Sequence, residues 1–142
     1  MPDKPKILII EDNSDDAELL IWMLRQAGLE RHVRIINDGG IALKYLKEKD
    51  FRAEELVAVF LDLDLPTVGG IQLLEEILLD DRIRHLPVVV MTSSTSPSDK
   101  AECERLGVSC FIQKPVTRGS FIKAVEITLS EPRELMPFFQ GR

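Results

Sequence analysis

The sequence predicts a single α/β domain in which five parallel strands form a doubly wound sheet covered by helices on both faces. Short apolar and β-branched runs alternate five times with longer segments in which apolar residues recur at helical spacing. Strands joined by helices in this way are parallel, and their right-handed crossovers place helices on both faces of the sheet. The chain of 142 residues is long enough to bury a substantial core.

The first two strands and the first helix are predicted near the N-terminus. Residues 6–10 form a continuous apolar run, which indicates a strand buried on both faces. Asn13 or Ser14 can cap the helix that follows, and Gly28 is suited to end it. Residues 32–37 predict the second strand, after which a turn leads into a second helix.

The third strand is predicted at the centre of the chain. Residues 57–60 are apolar without helical spacing, and the apolar run continues to the carboxylate of Asp62. The polar residues 50–55 predict a loop before this strand. After the glycines at 69–70, apolar spacing predicts a third helix that ends near Asp81.

The last two strands are separated by a helix. Residues 88–91 predict the fourth strand, and residues 108–113 predict the fifth. Pro97 suits the first turn of the helix between them, with Ser96 as its cap, and Gly107 ends that helix.

The fifth helix closes the predicted domain. Thr117 or Ser120 can begin this helix, and Pro132 is expected to terminate it. We therefore assign residues 1–131 to the domain and residues 132–142 to a hydrophobic C-terminal tail. The tail contains four large apolar side chains: Leu135, Met136, Phe138 and Phe139.

The charge and the apolar pattern exclude several classes of function. The net charge of −6 argues against a nucleic-acid partner, which would need clustered Lys and Arg. The longest apolar runs have the length of strands, and no signal-peptide core follows the charges at the N-terminus. We therefore expect no membrane span and a cytoplasmic location.

Polar side chains follow four of the five predicted strands. The alternation of elements predicts a flavodoxin-like sheet of order 2-1-3-4-5, in which the carboxyl ends of these strands border one crevice. The polar residues at those ends are Glu11 and Asp12, Asp62, Thr92 with Ser93, and Lys114. We expect these side chains to form one site.

The chemistry of these residues indicates phosphoryl transfer to Asp62. Three carboxylates at one edge repel each other, and a divalent cation removes that cost. Oxygen ligands without nearby His or Cys favour Mg²⁺, which keeps a place for a phosphate oxygen. Lys114 and Thr92 can stabilise two further phosphate oxygens while the Asp62 carboxylate attacks phosphorus.

Four motifs resemble those of one family: Ile10-Glu11-Asp12, Leu61-Asp62-Leu63, Met91-Thr92-Ser93 and Gln113-Lys114-Pro115. In this combination and order they resemble the receiver domain of two-component response regulators, and the resemblance covers roughly residues 6–130. It implies a signalling protein, not an enzyme that turns over a separate substrate. The only reactions that such a protein catalyses are its own phosphorylation and dephosphorylation, here at Asp62.

The resemblance assigns the acidic residues to two roles. Asp62 would accept a phosphoryl group from the phosphohistidine of a sensor histidine kinase. Asp12 would bind Mg²⁺ directly, Glu11 would act largely through water, and the Asp64 carbonyl would be a further ligand. The Asp64 side chain would contact the water shell of the metal or position an attacking water, and so change the lifetime of the phosphoryl group.

The resemblance also implies a conformational response. Thr92 would move toward the attached phosphoryl group, and Lys114 would pair with it, after a Lys114-Pro115 bond that is often cis in the family. The aromatic switch position falls on Phe111, where tyrosine is common; Phe111 is either a switch or simply part of the core. Readout would use the fourth helix, the fifth strand and the fifth helix, roughly residues 98–129.

The partners implied are a sensor histidine kinase and a downstream protein target or phosphotransfer protein. No output domain is expected after the last helix, so the chain would act as a single-domain regulator. Similar regulators with hydrophobic C-terminal extensions include partners of phytochrome-type kinases, and some are dimers. The tail at 132–142 would either fold back on the last helix or contact a partner or a second copy, giving a homodimer.

Two other functions also fit part of the pattern. The segment Phe60-Leu61-Asp62-Leu63-Asp64 resembles the Asp-x-Asp motif of haloacid-dehalogenase-type phosphatases, although that motif normally lies near the start of a longer chain. The other possibility is a receiver fold that docks partners without phosphorylation. Such a module would not need the acidic pair, Asp62, Thr92 and Lys114.

Overall fold

A computed structural model describes residues 6–66 and 68–128 and contains the predicted parallel sheet, with strand order β2-β1-β3-β4-β5. The strands of this sheet are β1 (Ile7–Ile10), β2 (Val33–Ile36), β3 (Ala58–Asp62), β4 (Val88–Thr92) and β5 (Cys110–Gln113). The helices are α1 (Ser14–Gln26), α2 (Gly39–Leu46), α3 (Gly70–Leu78), α4 (Pro97–Arg105) and α5 (Arg118–Thr128). Two short 3₁₀ turns, Glu30–His32 and Ala53–Glu55, precede β2 and β3. The predicted fold class is therefore confirmed.

The sheet separates two apolar cores, because successive strand residues point to opposite faces. Ile7 and Ile9 of β1 pack in the core under α1 and α5, whereas Leu8 and Ile10 pack in the core under α2, α3 and α4. All four are buried. A strand buried on both faces carries no polar side chain until it ends, and this places the first polar groups at the edge of the sheet.

Helix capping resolves two choices that the sequence left open. Asn13 caps α1, since its side chain accepts a hydrogen bond from the Asp16 N–H at 3.0 Å. Thr117 precedes α5, and its hydroxyl accepts from the Ser120 N–H at 3.0 Å. Gly28 has a φ of +76°, the left-handed conformation that favours glycine after a helix.

The predicted end of the third helix and the predicted capping bond of the fourth need correction, although Ser96 does hold the predicted N-cap position. The helix α3 ends at Leu78 and not near Asp81, because the Asp80 side chain accepts a hydrogen bond from the Arg82 N–H at 2.8 Å and forms a turn. Ser96 occupies the N-cap position of α4 but makes no capping hydrogen bond, because its hydroxyl is paired with that of Ser98.

The predicted helix end at Pro132 and the tail at 132–142 lie outside the described residues. Within the part of the chain that is described, none of the helices combines the length and the apolar character needed to cross a membrane.

Candidate functional site

The carboxyl edge of the sheet brings together the three predicted carboxylates. The strands β1 and β3 are neighbours, with Ile10 opposite Leu61, so the residues that follow them lie side by side. One carboxylate oxygen from each of Glu11, Asp12 and Asp62 lies within 4.8 Å of the others. The sequence prediction of an acidic cluster at this edge is confirmed.

The three carboxylates differ in their exposure to solvent. Glu11 and Asp62 are only 1% and 2% exposed, whereas Asp12 is exposed. Backbone groups orient the buried pair: Glu11 Oε2 accepts from the Asn13 N–H at 3.2 Å, and Asp62 Oδ1 accepts from the Asp64 N–H at 3.0 Å. The cluster is therefore reached from solvent on the Asp12 side.

Lys114 extends into the same cluster from the end of β5. Its Nζ lies 2.8 Å from Glu11 Oε1, 2.8 Å from Asp16 Oδ2 and 3.5 Å from Asp62 Oδ1. The Lys114-Pro115 peptide bond is cis, as the family resemblance implies. Asp16 is a member of the site that the sequence analysis missed. The only available signal was an acidic residue in the first turn of the helix that follows β1.

Burial and the neighbouring charges change the protonation of this site. Burial, and then the hydrogen bond with Asp62, raise the pKa of Glu11 to about 7. For Lys114, burial by itself lowers the pKa, but hydrogen bonds with Asp16 and Glu11 outweigh it, so the pKa is raised above its ordinary value. Lys114 is therefore a fixed positive charge, while Glu11 can hold a proton near neutral pH.

Thr92 lies at the end of β4 and is fully buried. Its hydroxyl lies 3.4 Å from Asp64 Oδ2, and the Ser93 N–H lies 3.4 Å from the same oxygen. The Ser94 N–H donates to Thr92 Oγ1 at 3.0 Å. The side chain of the exposed Asp64 therefore faces the β4 end of the site, a contact that its sequence position did not predict.

Phe111 lies further from the edge of the sheet. It pairs with Val90 in the register of β4 and β5, whereas Thr92 pairs with Gln113. The ring is half-buried and packs against the core under α2, α3 and α4. The core role that the sequence allowed is thus present in the structure, and the switch role stays a prediction.

The donor set fits a hard divalent cation. Glu11, Asp12 and Asp62 offer only carboxylate oxygens, the ligand type that Mg²⁺ prefers. Burial of Glu11, and then its hydrogen bond with Asp62, raise its pKa, so a fully ionised set of carboxylates is unfavourable at this edge in the absence of a cation. The Lys114 ammonium beside Asp62 can stabilise the negative charge of a phosphoryl group, and the Thr92 hydroxyl at the end of the neighbouring strand can donate to one of its oxygens.

Comparison with known proteins agrees with this arrangement. A family model described as the response regulator receiver domain matches residues 7–126. The chemotaxis protein CheY-3 of Vibrio cholerae is 34% identical over 115 residues, which cover 81% of this chain and 84% of CheY-3.

Solved structures give the same result. The bacteriophytochrome response regulator RtBRR superposes with a TM-score of 0.75 and 36% identity, covering 89% of this chain and 78% of RtBRR. The Mn²⁺-bound form of response regulator Rcp1 superposes with a TM-score of 0.71 and 29% identity, covering 87% of this chain and 91% of Rcp1.

Proposed function

This chain belongs to the response regulator receiver domain family, and from that premise we propose that it is phosphorylated on Asp62 in a reaction that depends on Mg²⁺. One observation carries the proposal: the buried Asp62 carboxylate lies 3.5 Å from the Lys114 ammonium and next to the carboxylates of Glu11 and Asp12. Receiver domains act in signalling through histidine kinases and downstream targets, and are not enzymes in the ordinary sense.

The nucleophile in the proposed reaction is an Asp62 carboxylate oxygen. It forms a bond to the phosphorus of a phosphohistidine while the phosphorus–nitrogen bond breaks, and the leaving imidazole keeps the electron pair of that bond. The Asp64 N–H already orients Asp62 Oδ1 at 3.0 Å. The carboxylate therefore needs little reorganisation before attack.

Two side chains receive the charge of the transferred group. Lys114, held by Glu11 and Asp16, places its ammonium beside the nucleophile and can pair with one phosphoryl oxygen. Thr92 can donate its hydroxyl to a second oxygen, because its present acceptor, Asp64 Oδ2, is at the long distance of 3.4 Å.

Mg²⁺ would be held by Asp12 and Asp62 directly, by Glu11 largely through water, and by the Asp64 carbonyl. When bound, it would supply positive charge to the third phosphoryl oxygen. The Mn²⁺-bound form of Rcp1, which is 29% identical to this chain, supports the proposal that this chain also binds a divalent cation.

The test is phosphorylation by a small-molecule donor. Incubation with acetyl phosphate or phosphoramidate and Mg²⁺ should add the mass of one phosphoryl group, detected by intact mass spectrometry. Asp62→Asn should abolish the addition. Asp81→Asn is the matched control, because it makes the same change at an exposed carboxylate outside the site. Absence of any addition to the wild type would favour a docking module that is not phosphorylated.

We propose a cytoplasmic sensor histidine kinase of the phytochrome type as the phosphoryl donor. The likeness to a bacteriophytochrome response regulator at 36% identity supports this choice. Transfer from a purified phytochrome kinase should be faster than transfer from an unrelated histidine kinase. Equal rates from the two kinases would contradict the assignment.

The downstream readout is proposed at α4, β5 and α5, with a target protein or a phosphotransfer protein as partner. Phosphorylation would shift an existing equilibrium between two arrangements of this face, and Phe111 on β5 is the candidate aromatic switch. Phe111→Leu should reduce the affinity gained by a target on phosphorylation without changing phosphorylation itself, which a target-binding titration can measure.

We also propose that the apolar tail at 132–142 contributes to a homodimer. The tail sequence has four large apolar residues within five positions, and contact with a second copy would remove these side chains from water. Truncation after Glu131 should convert a dimer to a monomer in a measurement of mass in solution. An unchanged oligomeric state would contradict a dimer role for the tail.

A further inference from the structure

Ser94 connects the hydroxyl of Thr92 to the fourth helix. It is half-buried in the loop between β4 and α4, and its N–H donates to Thr92 Oγ1 at 3.0 Å. Its own hydroxyl donates to Asp99 Oδ2 at 2.7 Å and accepts from the Ser96 N–H at 3.1 Å. One small residue thus contacts both the proposed phosphoryl-sensing hydroxyl and the first turn of α4.

The hydrogen bond from Ser94 to Asp99 fixes the N-terminal end of α4, which the N-cap side chain leaves uncapped. Ser96 lies at the N-cap position of α4 but makes no capping bond. Asp99 lies in the first turn, where its negative charge is favoured by the helix dipole. A bond of 2.7 Å to a carboxylate is a strong type of hydrogen bond. The start of α4 is therefore anchored to the loop through Ser94 and Asp99.

The two hydrogen bonds of Thr92 Oγ1 differ in length. The contact with Asp64 Oδ2 is 3.4 Å, longer than an ordinary O–H···O bond, whereas the Ser94 N–H lies at 3.0 Å. The contact with Asp64 is thus the easier one to exchange for a phosphoryl oxygen. When the Thr92 hydroxyl turns toward a new acceptor, the stronger bond carries Ser94 with it.

We infer that Ser94 is a positioning residue that couples the Thr92 hydroxyl to the first turn of α4 through Asp99. The inference rests on the proposed phosphorylation of Asp62 and adds the regulation of that site. Movement of Thr92 changes the position of Ser94, so the Ser94 hydroxyl shifts against Asp99 and α4 is displaced or loosened. The movement of Thr92 can then reach α4, on the readout face, without a change of the Phe111 ring.

The experiment compares the wild-type chain with three variants. Ser94→Ala removes the hydroxyl but keeps the N–H that binds Thr92, and Ser94→Thr restores a hydroxyl as the conservative rescue. Asp99→Ala removes the other end of the link. For each chain, hydrogen exchange of the amides of α4 is measured with and without Mg²⁺ and beryllofluoride, a stable mimic of the phosphoryl group.

We expect beryllofluoride to change the exchange of the α4 amides in the wild type and in Ser94→Thr. The change should be at least halved in Ser94→Ala and in Asp99→Ala, although all four chains gain a phosphoryl group from acetyl phosphate. A merely structural role would alter exchange equally in the free and bound states and leave the difference between them intact.

Two results would overturn the inference in distinguishable ways. Normal phosphorylation of Ser94→Ala with a wild-type response in α4 would refute the coupling alone. A wild-type chain that neither gains a phosphoryl group on Asp62 nor responds to beryllofluoride would refute the proposed function and the coupling together.

Discussion

The buried carboxyl group of Glu11 should make the metal-free protein less stable as the pH rises. Its pKa is raised from 4.5 to about 7 by burial and by Asp62. The folded chain therefore keeps a proton that the unfolded chain has lost. The stabilisation from this proton is complete below about pH 4.5 and is lost as the pH rises through about 7. The difference, 7 − 4.5 = 2.5, corresponds to about 3 kcal/mol of unfolding free energy.

The measurement is urea unfolding in EDTA at constant ionic strength, for the wild type and for Glu11→Gln. Glutamine has nearly the same shape but does not titrate, so groups common to both chains cancel in the comparison. Between about pH 4.5 and about pH 8, the free energy of unfolding of the wild type should fall by about 3 kcal/mol more than that of Glu11→Gln. At the upper pH, free Mg²⁺ at about 100 times its dissociation constant should raise the free energy of unfolding of the wild type by about 2.7 kcal/mol.

Parallel curves for the two chains would refute this reasoning. They would mean that Glu11 is already ionised in the folded metal-free protein at pH values where the structure predicts a proton. The close approach of Glu11 to Asp62 would then have to be balanced by Lys114 alone.

Two further pairs of substitutions test the packing of the site. A Cβ at Gly70 would lie 2.5 Å from the Leu63 Cα, so Gly70→Ala should lower the free energy of unfolding by about 1–3 kcal/mol and slow phosphorylation. A Cβ at Gly69 would meet nothing within 4 Å, so Gly69→Ala should lower it less, and equal losses in urea unfolding would contradict this account. Lys114→Met should lower the free energy of unfolding in EDTA by about 3 kcal/mol, because it leaves buried carboxylates without a cation. Asp16→Asn should lower it by about 1 kcal/mol or less, because the Asp16 side chain is partly exposed. The reverse order of urea midpoints would contradict the assigned pairing.

The sheet and its acidic edge could be predicted because both follow from local patterns. A continuous apolar run such as residues 57–60 has few alternatives to a buried strand, and helices between such strands force a parallel order. The side chains that end β1 and β3 then meet, as Glu11 and Asp62 do. Neither step requires knowledge of a distant contact.

The contacts of Asp16 and Ser94 could not be predicted in the same way. Asp16 had a sufficient local explanation in the helix dipole, yet its carboxylate binds Lys114, which lies 98 positions away in the chain. Ser96 was expected to cap α4 through its side chain, but it makes no capping hydrogen bond. The side chain that contacts the first turn of α4 is that of Ser94, which donates a hydrogen bond to Asp99. Local rules name the residues that can make a hydrogen bond, and tertiary structure chooses among the available partners.

The balance of charge at the edge predicts the order of cation binding and phosphorylation. The carboxylates of Glu11, Asp12, Asp16 and Asp62 outnumber the single ammonium of Lys114, and a phosphoryl group would add more negative charge. If Asp62 is phosphorylated as proposed, we therefore expect a divalent cation to bind before the phosphoryl group is transferred. We expect no phosphoryl addition in EDTA for the wild type, and none for Glu11→Gln, since two carboxylates of the metal cluster remain. Addition to either chain in EDTA, measured by intact mass, would show that Lys114 alone is enough.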